Sequence, residues 1–170
     1  MKRITLVLAF IGMITLNGCT VNEDNGSNID NDTISEVFRY NGVNFAPNSY
    51  SVILEFPYAI YESDMALVYR LTQDVDGTMV WKLLPEAYYF DDGTLSYRYD
   101  FNFTRVDARV YMEGYNLWEL SSSERLNQSL RVVIIPGFFA NRMAKPVDFS
   151  DYNAVIKHYN IDDSKEIVVK

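Results

Sequence analysis

Hydrophobic and polar residues alternate most regularly between Thr94 and Thr104, TLSYRYDFNFT. Leu95, Tyr97, Tyr99, Phe101 and Phe103 share one parity, and Ser96, Arg98, Asp100, Asn102 and Thr104 the other. Successive side chains of a strand point to opposite faces, so the stretch predicts a strand with one buried and one wet face. At strand rise it spans about 36 Å, longer than is usual, which predicts a bend or bulge within it. Phe101 near its centre predicts a loss of about 3–5 kcal/mol on truncation to Ala.

The same period marks Tyr50 to Phe56, Met65 to Leu71, Met79 to Leu83 and Val106 to Met112. Glu36 to Phe45 predicts a first strand, with Asn41-Gly42 as a turn or bulge. Asp74-Val75-Asp76-Gly77 is a turn, Pro85 breaks the strand before Ala87 to Phe90, and Asp91-Asp92-Gly93 is a hairpin signal. Leu130 to Ile135 is apolar throughout except for Arg131, which suits a strand covered on both faces. Between them, residues 116–129 carry no clear period: Ser121-Ser122-Ser123 argues for a loop and Glu124 to Leu126 for one helical turn. Tyr152, Val155, Ile156 and Tyr159 recur at helical spacing, which predicts a short amphipathic helix from Ser150 or Asp151 to about His158. Ile167-Val168-Val169 reads as a last short strand. About seven short strands separated by turn signals predict an all-β fold, an antiparallel immunoglobulin-like sandwich with a short C-terminal helix. A closed lipocalin-like barrel is the alternative.

Composition narrows the functional classes. Hydrophobic residues make up 48% of the chain and aromatic ones 15%, enough for a core and favouring strands. Net charge is −8, with no basic cluster beyond Lys2-Arg3, which argues against nucleic acid as a partner.

The N-terminus carries an address. Lys2-Arg3 precedes the apolar run Ile4 to Thr15, too short for a spanning helix of about 20 residues and fitting for a secretory signal. Leu16-Asn17-Gly18-Cys19 then resembles the lipobox of bacterial lipoproteins, with Asn17 departing from the usual small residue. That resemblance implies cleavage between Gly18 and Cys19 and acylation of Cys19, the only cysteine of the chain. Each buried acyl CH₂ contributes about 0.8 kcal/mol, and two or more chains anchor stably. Residues 1–18 are thus expected to be a signal peptide, residues 19–34 a lipidated cysteine and disordered tether, and residues 35–170 the folded domain. The tether, TVNEDNGSNIDNDT after the cysteine, has too little apolar area to order itself. Its Glu23-Asp24 is similar to the export signal of surface lipoproteins of Bacteroidetes, and Asp32-Thr33-Ile34 resembles an O-glycosylation motif of the same phylum. The location implied is the outer membrane, with the possibility of surface exposure.

The body resembles a family of small lipoproteins of flavobacteria and other Bacteroidetes, a lipobox followed by a β-sandwich. The matching residues are FPYAIYESDMALVYRL (56–71), VWKLLP (80–85), Gly93-Thr94-Leu95, RVVIIPG (131–137) and DYNAVIKHYNI (151–161). The resemblance implies the fold and the anchor, and no activity.

Catalytic chemistry finds little support. His158 is the only histidine and lies off the apolar stripe of its helix, so it is expected to face solvent. The usual Cys/His zinc sites are excluded on count. Asp74/Asp76, Asp91/Asp92 and Asp162/Asp163 read as turn residues, too few for calcium. No catalytic, cofactor-binding or metal-binding residue is therefore assigned. Aromatics off the core parity are the better lead. Tyr61, Tyr88 or Tyr89, Tyr111, Tyr115 and Trp118 cannot all be inside, and exposed Tyr and Trp bind sugars and anchor protein interfaces. Tyr61, Tyr111, Tyr115 and Trp118 form the expected binding surface. The function expected is a membrane-anchored envelope lipoprotein whose body is a non-enzymatic binding or structural module, with membrane lipid held through Cys19 and a protein or glycan as the candidate partner. A glycan-binding or glycan-hydrolysing surface lipoprotein is the alternative.

Overall fold

The computed structural model describes residues 35–137 and 146–170; the signal segment, Cys19 and the tether lie outside the described residues. Within them the chain forms nine strands: β1 (Glu36–Val43), β2 (Ser51–Glu55), β3 (Met65–Gln73), β4 (Met79–Leu83), β5 (Glu86–Tyr89), β6 (Leu95–Phe103), β7 (Asp107–Gly114), β8 (Gln128–Ile135) and β9 (Ile167–Val169). Residues 116–129 resolve into a 3-10 turn (Leu117–Glu119), one helical turn α1 (Ser122–Arg125) and the start of β8. Helix α2 (Tyr152–His158) follows, its first turn capped by the Asp151 side chain, which accepts from the Ala154 N–H.

The strands make two sheets, one ordered β4-β3-β8-β1-β9 and one ordered β2-β7-β6-β5. All pairings are antiparallel except β1 with β9, which is parallel. Both sheets stay open. The lipocalin-like alternative is thereby overturned, since no strand pairing joins the two sheets into a barrel among the described residues. The fold is all-β with two layers.

The two sheets share one core. Phe38 and Tyr40 of β1, Ala66 and Val68 of β3, and Leu130, Val132 and Ile134 of β8 meet Leu54, Tyr97, Tyr99, Ala108, Val110 and Met112 from the other sheet. The opposite face of the five-stranded sheet buries a second set: Val37, Leu67, Tyr69, Val133 and Ile135, covered by Tyr152, Val155, Tyr159 and Ile161. This explains the near-unbroken apolar run of β8. β3 shares the arrangement, so the parity of Met65, Leu67 and Tyr69 faces the helix and not the sandwich interior.

Two bulges adjust the strands. Between Tyr40 and Val43, β1 advances one residue more than β8, with Gly42 at a φ of 69°. In β6 the extra residue is Ser96: Tyr88 pairs with Tyr97, but Tyr89 pairs with Leu95. Residues paired across antiparallel strands share a face, so this bulge turns Leu95 outward beside Tyr89. The parity of the sequence had placed Leu95 inside; it is exposed, as is Phe103 at the other end of the strand. Only Tyr97 and Tyr99 are fully committed to the core, and Phe101 is half-buried.

Contacts between the sheets fix which ends coincide. The Tyr40 hydroxyl donates to the Glu55 carbonyl at 2.7 Å, and the Phe38 and Phe56 rings lie 5.7 Å apart. At the other end Tyr97 donates to Glu124 at 2.8 Å, and Phe45 lies 5.7 Å from Tyr99. The body thus has a root, where β1 begins beside Tyr58, Tyr61 and Arg105, and a tip, where the hairpins at residues 74–78 and 90–94 turn. Phe38→Ala is expected to lose about 3–5 kcal/mol of stability, whereas Phe101→Ala loses less than about 2 kcal/mol. Equilibrium denaturant unfolding of the two variants checks the order.

Candidate binding face

The five-stranded sheet is covered on both sides. Among the described residues, no element lies over the outer face of the four-stranded sheet. What fixes that sheet in place is a charged residue inside the sandwich. Arg70 points inward from β3 and is almost wholly buried. Its guanidinium donates to Glu86 Oε2 at 2.8 Å, Gln128 Oε1 at 2.9 Å and the Tyr88 hydroxyl at 2.7 Å, and lies 4.4 Å above the Tyr99 ring. Burial works against the Arg70 charge, and Tyr99, Glu86 and Tyr88 outweigh it, raising its pKa. Tyr88 in turn donates to Glu86 at 2.6 Å and stacks on Tyr97 with centroids 4.6 Å apart. Glu124, below them, accepts from Tyr97 and from Ser121 Oγ. Burial raises its pKa, but these bonds outweigh it and leave the net value lowered. Every donor in this network has an acceptor, so it ties β5 and β6 to β3 and β8.

The open face carries a polar middle and an aromatic end. In the middle, Arg98 pairs with Glu113 at 2.6 Å and Asp100 at 3.4 Å. Arg109 donates to Ser51 Oγ at 2.9 Å and reaches over the Tyr111 ring at 6.0 Å. Exposed pairs of this type add less than about 1 kcal/mol each, so their effect is to fix side-chain directions rather than to hold the fold. Toward the tip, Tyr89 and Leu95 face outward as a cross-strand pair. The Tyr115 N–H donates to the Ser96 carbonyl, which seats Tyr115 next to them. Beyond β7, Leu117 and Leu120 pack on the core and Trp118 projects away from it. Tyr89, Tyr115 and Trp118 are 64%, 68% and 66% exposed.

The structure brings three of the four expected residues toward one surface and separates the fourth. Tyr111 is half-buried in the middle of the face, with Tyr115 and Trp118 at its tip end. Tyr61 is exposed at the root, beside Phe103 and Arg105. Leu95 and Phe90 join the surface without having been foreseen. The Asp91-Asp92-Gly93 hairpin signal was the available clue, since it puts flanking apolar residues at a turn.

Other expected features also find their place. Asp74, Asp76 and Asp92 accept from nearby backbone N–H groups within their own turns, and the Thr94 bonds lower the Asp92 pKa. His158 is half-buried, its ring 4.8 Å from that of Tyr159, where the helix pattern had predicted solvent. Among the described residues, no group of three or more His, Cys, Asp or Glu side chains is placed to hold a metal ion. A polar groove of about 510 Å³ opens on the far side, lined in part by Trp81, Arg131, Tyr152 and Asp163. Its charged centre is already engaged: Arg131 lies 4.4 Å over Trp81 and donates to Tyr152 at 2.6 Å and Glu166 at 2.8 Å. We assign it to structure. Cys19, Gly18 and the proposed acylation site lie outside the described residues.

The tyrosines under the open face give a pH signature. Burial pushes Tyr88 up to about 12, and raises Tyr97 and Tyr99 further. A group whose pKa is raised on folding contributes fully below its unfolded value, about 10 for tyrosine, and loses that contribution as pH rises through the folded value. Urea midpoints are therefore expected to fall steadily above about pH 10. Tyr97→Phe is expected to make the fall shallower. For the buried pair, Arg70→Met alone is expected to cost about 3–5 kcal/mol by stranding Glu86, and Arg70→Met with Glu86→Gln distinctly less. A double-mutant cycle in denaturant measures the difference.

Compared with known protein families, curated proteins and solved structures, the chain matches none.

Proposed function

We propose that this chain is a bacterial envelope lipoprotein, held at the outer membrane by acyl chains on Cys19. On this reading its body is a non-enzymatic module that presents the open sheet face to a protein or glycan partner. One observation carries the binding half: among the described residues the four-stranded sheet keeps an uncovered outer face with exposed aromatic side chains at its tip, although the other sheet is covered twice. Exposed clusters of Tyr and Trp set among polar residues are the composition of binding hot spots. The anchor half is supported by the sequence, where the single cysteine follows an apolar run and Leu16-Asn17-Gly18. No helix among the described residues is long and apolar enough to cross a membrane, so on this reading the acyl chains do the holding.

The finer fold assignment is an immunoglobulin-like sandwich. It is supported by two facing open sheets and by a chain that crosses repeatedly between them, from β1 to β2, β2 to β3, β4 to β5 and β7 to β8. The nine strands exceed the seven of the constant-type domain by two, one of them the parallel β9.

Expressed in a bacterial host fed an alkyne-tagged palmitate, the chain is expected to take up label and float with membranes. Cys19→Ser is expected to abolish the label and move the protein to the soluble fraction. A mature wild-type protein that is unmodified and freely soluble overturns the anchor.

A further inference from the structure

The two ends of the body differ in a way that bears on the partner. β1, the first described strand, begins at the root. Gly137 lies at the same end, its N–H donating to Asp64 Oδ1 at 3.2 Å. The tip is about 25 Å away along the eight residues of β1 at strand rise. Tyr89, Leu95 and Tyr115 are neighbours there through strand pairing, and Phe90 and Trp118 stand on the turns that flank them, all exposed.

Charge is also uneven around the cluster. Asp91 and Asp92 of the 90–94 hairpin and Glu119 of the 3-10 turn lie at this end, all exposed. Arg98 and Glu113 neutralise each other at 2.6 Å, and the charge of Arg125, whose Nε donates to the Leu120 carbonyl, leaves these three carboxylates in excess. An apolar centre with an acidic rim complements an apolar surface carrying Lys or Arg. It disfavours acidic glycans and anionic headgroups by like-charge repulsion.

We propose, resting on the anchored-module reading above, that this tip is a docking site for a basic, apolar polypeptide segment approaching from the side away from the anchoring membrane. The aromatic residues supply the desolvated centre, and the carboxylates steer the approach and set its salt dependence. The root faces the lipid, and Tyr61 there takes no part.

The test uses the acylated full chain in phosphatidylcholine vesicles for orientation, and in detergent micelles for binding. The probe is a short synthetic peptide of alternating Lys and Leu, set against its Glu and Leu counterpart and a neutral β-glucan oligosaccharide. The Lys-containing peptide is expected to shift the backbone amide resonances of residues 89–95 and 115–119, with affinity that falls as salt rises. Tyr115→Ala with Trp118→Ala is expected to weaken it by about tenfold or more, and Tyr61→Ala to leave it unchanged. Equal weakening by Tyr61→Ala, no effect of the tip variant, or shifts with the oligosaccharide in place of the peptide overturns the proposal. In vesicles, the part of the tryptophan emission lost in Trp118→Phe is expected to escape quenching by nitroxide lipids; quenching of that part overturns the orientation. Failure of the chain to float with vesicles removes the anchor instead, and leaves the peptide result to be judged by itself.

Discussion

Almost every side chain of β8 ends in protein, whichever way it points. Leu130, Val132 and Ile134 enter the sandwich interior, while Val133 and Ile135 enter the layer beneath α2. A strand buried on both faces needs a layer on each side, and that requirement organises the rest. It calls for the four-stranded sheet on one side and for α2 with the following segment on the other. The four-stranded sheet meets no such demand on its outer face. Its strands keep the alternation of a half-buried sheet, and among the described residues no element covers their polar parity.

The same central region buries two arginines on neighbouring strands, pointing to opposite faces. Arg70 of β3 enters the sandwich, and Arg131 of β8 enters the helix layer. Each is enclosed by carboxylate, tyrosine hydroxyl and aromatic ring. Ion pairs of this kind contribute little net stability against an apolar replacement, because both charges leave water. Their geometry is demanding, however. Arg70 finds its partners only when β5 and β6 sit at one offset from β3, so the pair favours a single register of sheet on sheet.

The sequence made some of this legible and hid the rest, for physical reasons. The apolar run of β8 announced double burial, because no other strand environment tolerates it. The helical spacing at Tyr152, Val155, Ile156 and Tyr159 announced α2 and put its start at Ser150 or Asp151, of which Asp151 is the cap. Arg70 gave no signal: on alternation it sits opposite Tyr69 and Leu71 and looks like a solvent residue. Two-sided burial removes the contrast on which alternation depends. Leu95 misled for a different reason. Its parity is correct for a regular strand, and one inserted residue at Ser96 reverses it. Of the candidate surface, Tyr115 and Trp118 were recognisable because they lie outside any apolar period. That Tyr61 stands at the opposite end is a property of topology, which the local pattern does not encode.

The short parallel strand β9 has a consequence for assembly. Phe38, Arg39 and Tyr40 of the first strand take Ile167, Val168 and Val169 as neighbours, a pairing across nearly the whole described chain. Until those late residues arrive, the flank of β1 is an unprotected row of amide and carbonyl groups able to recruit a strand from another molecule. Contacts so distant in the chain also form slowly. The residues of β9 therefore act as a latch, and the interval before it shuts is when the molecule is most exposed to aggregation.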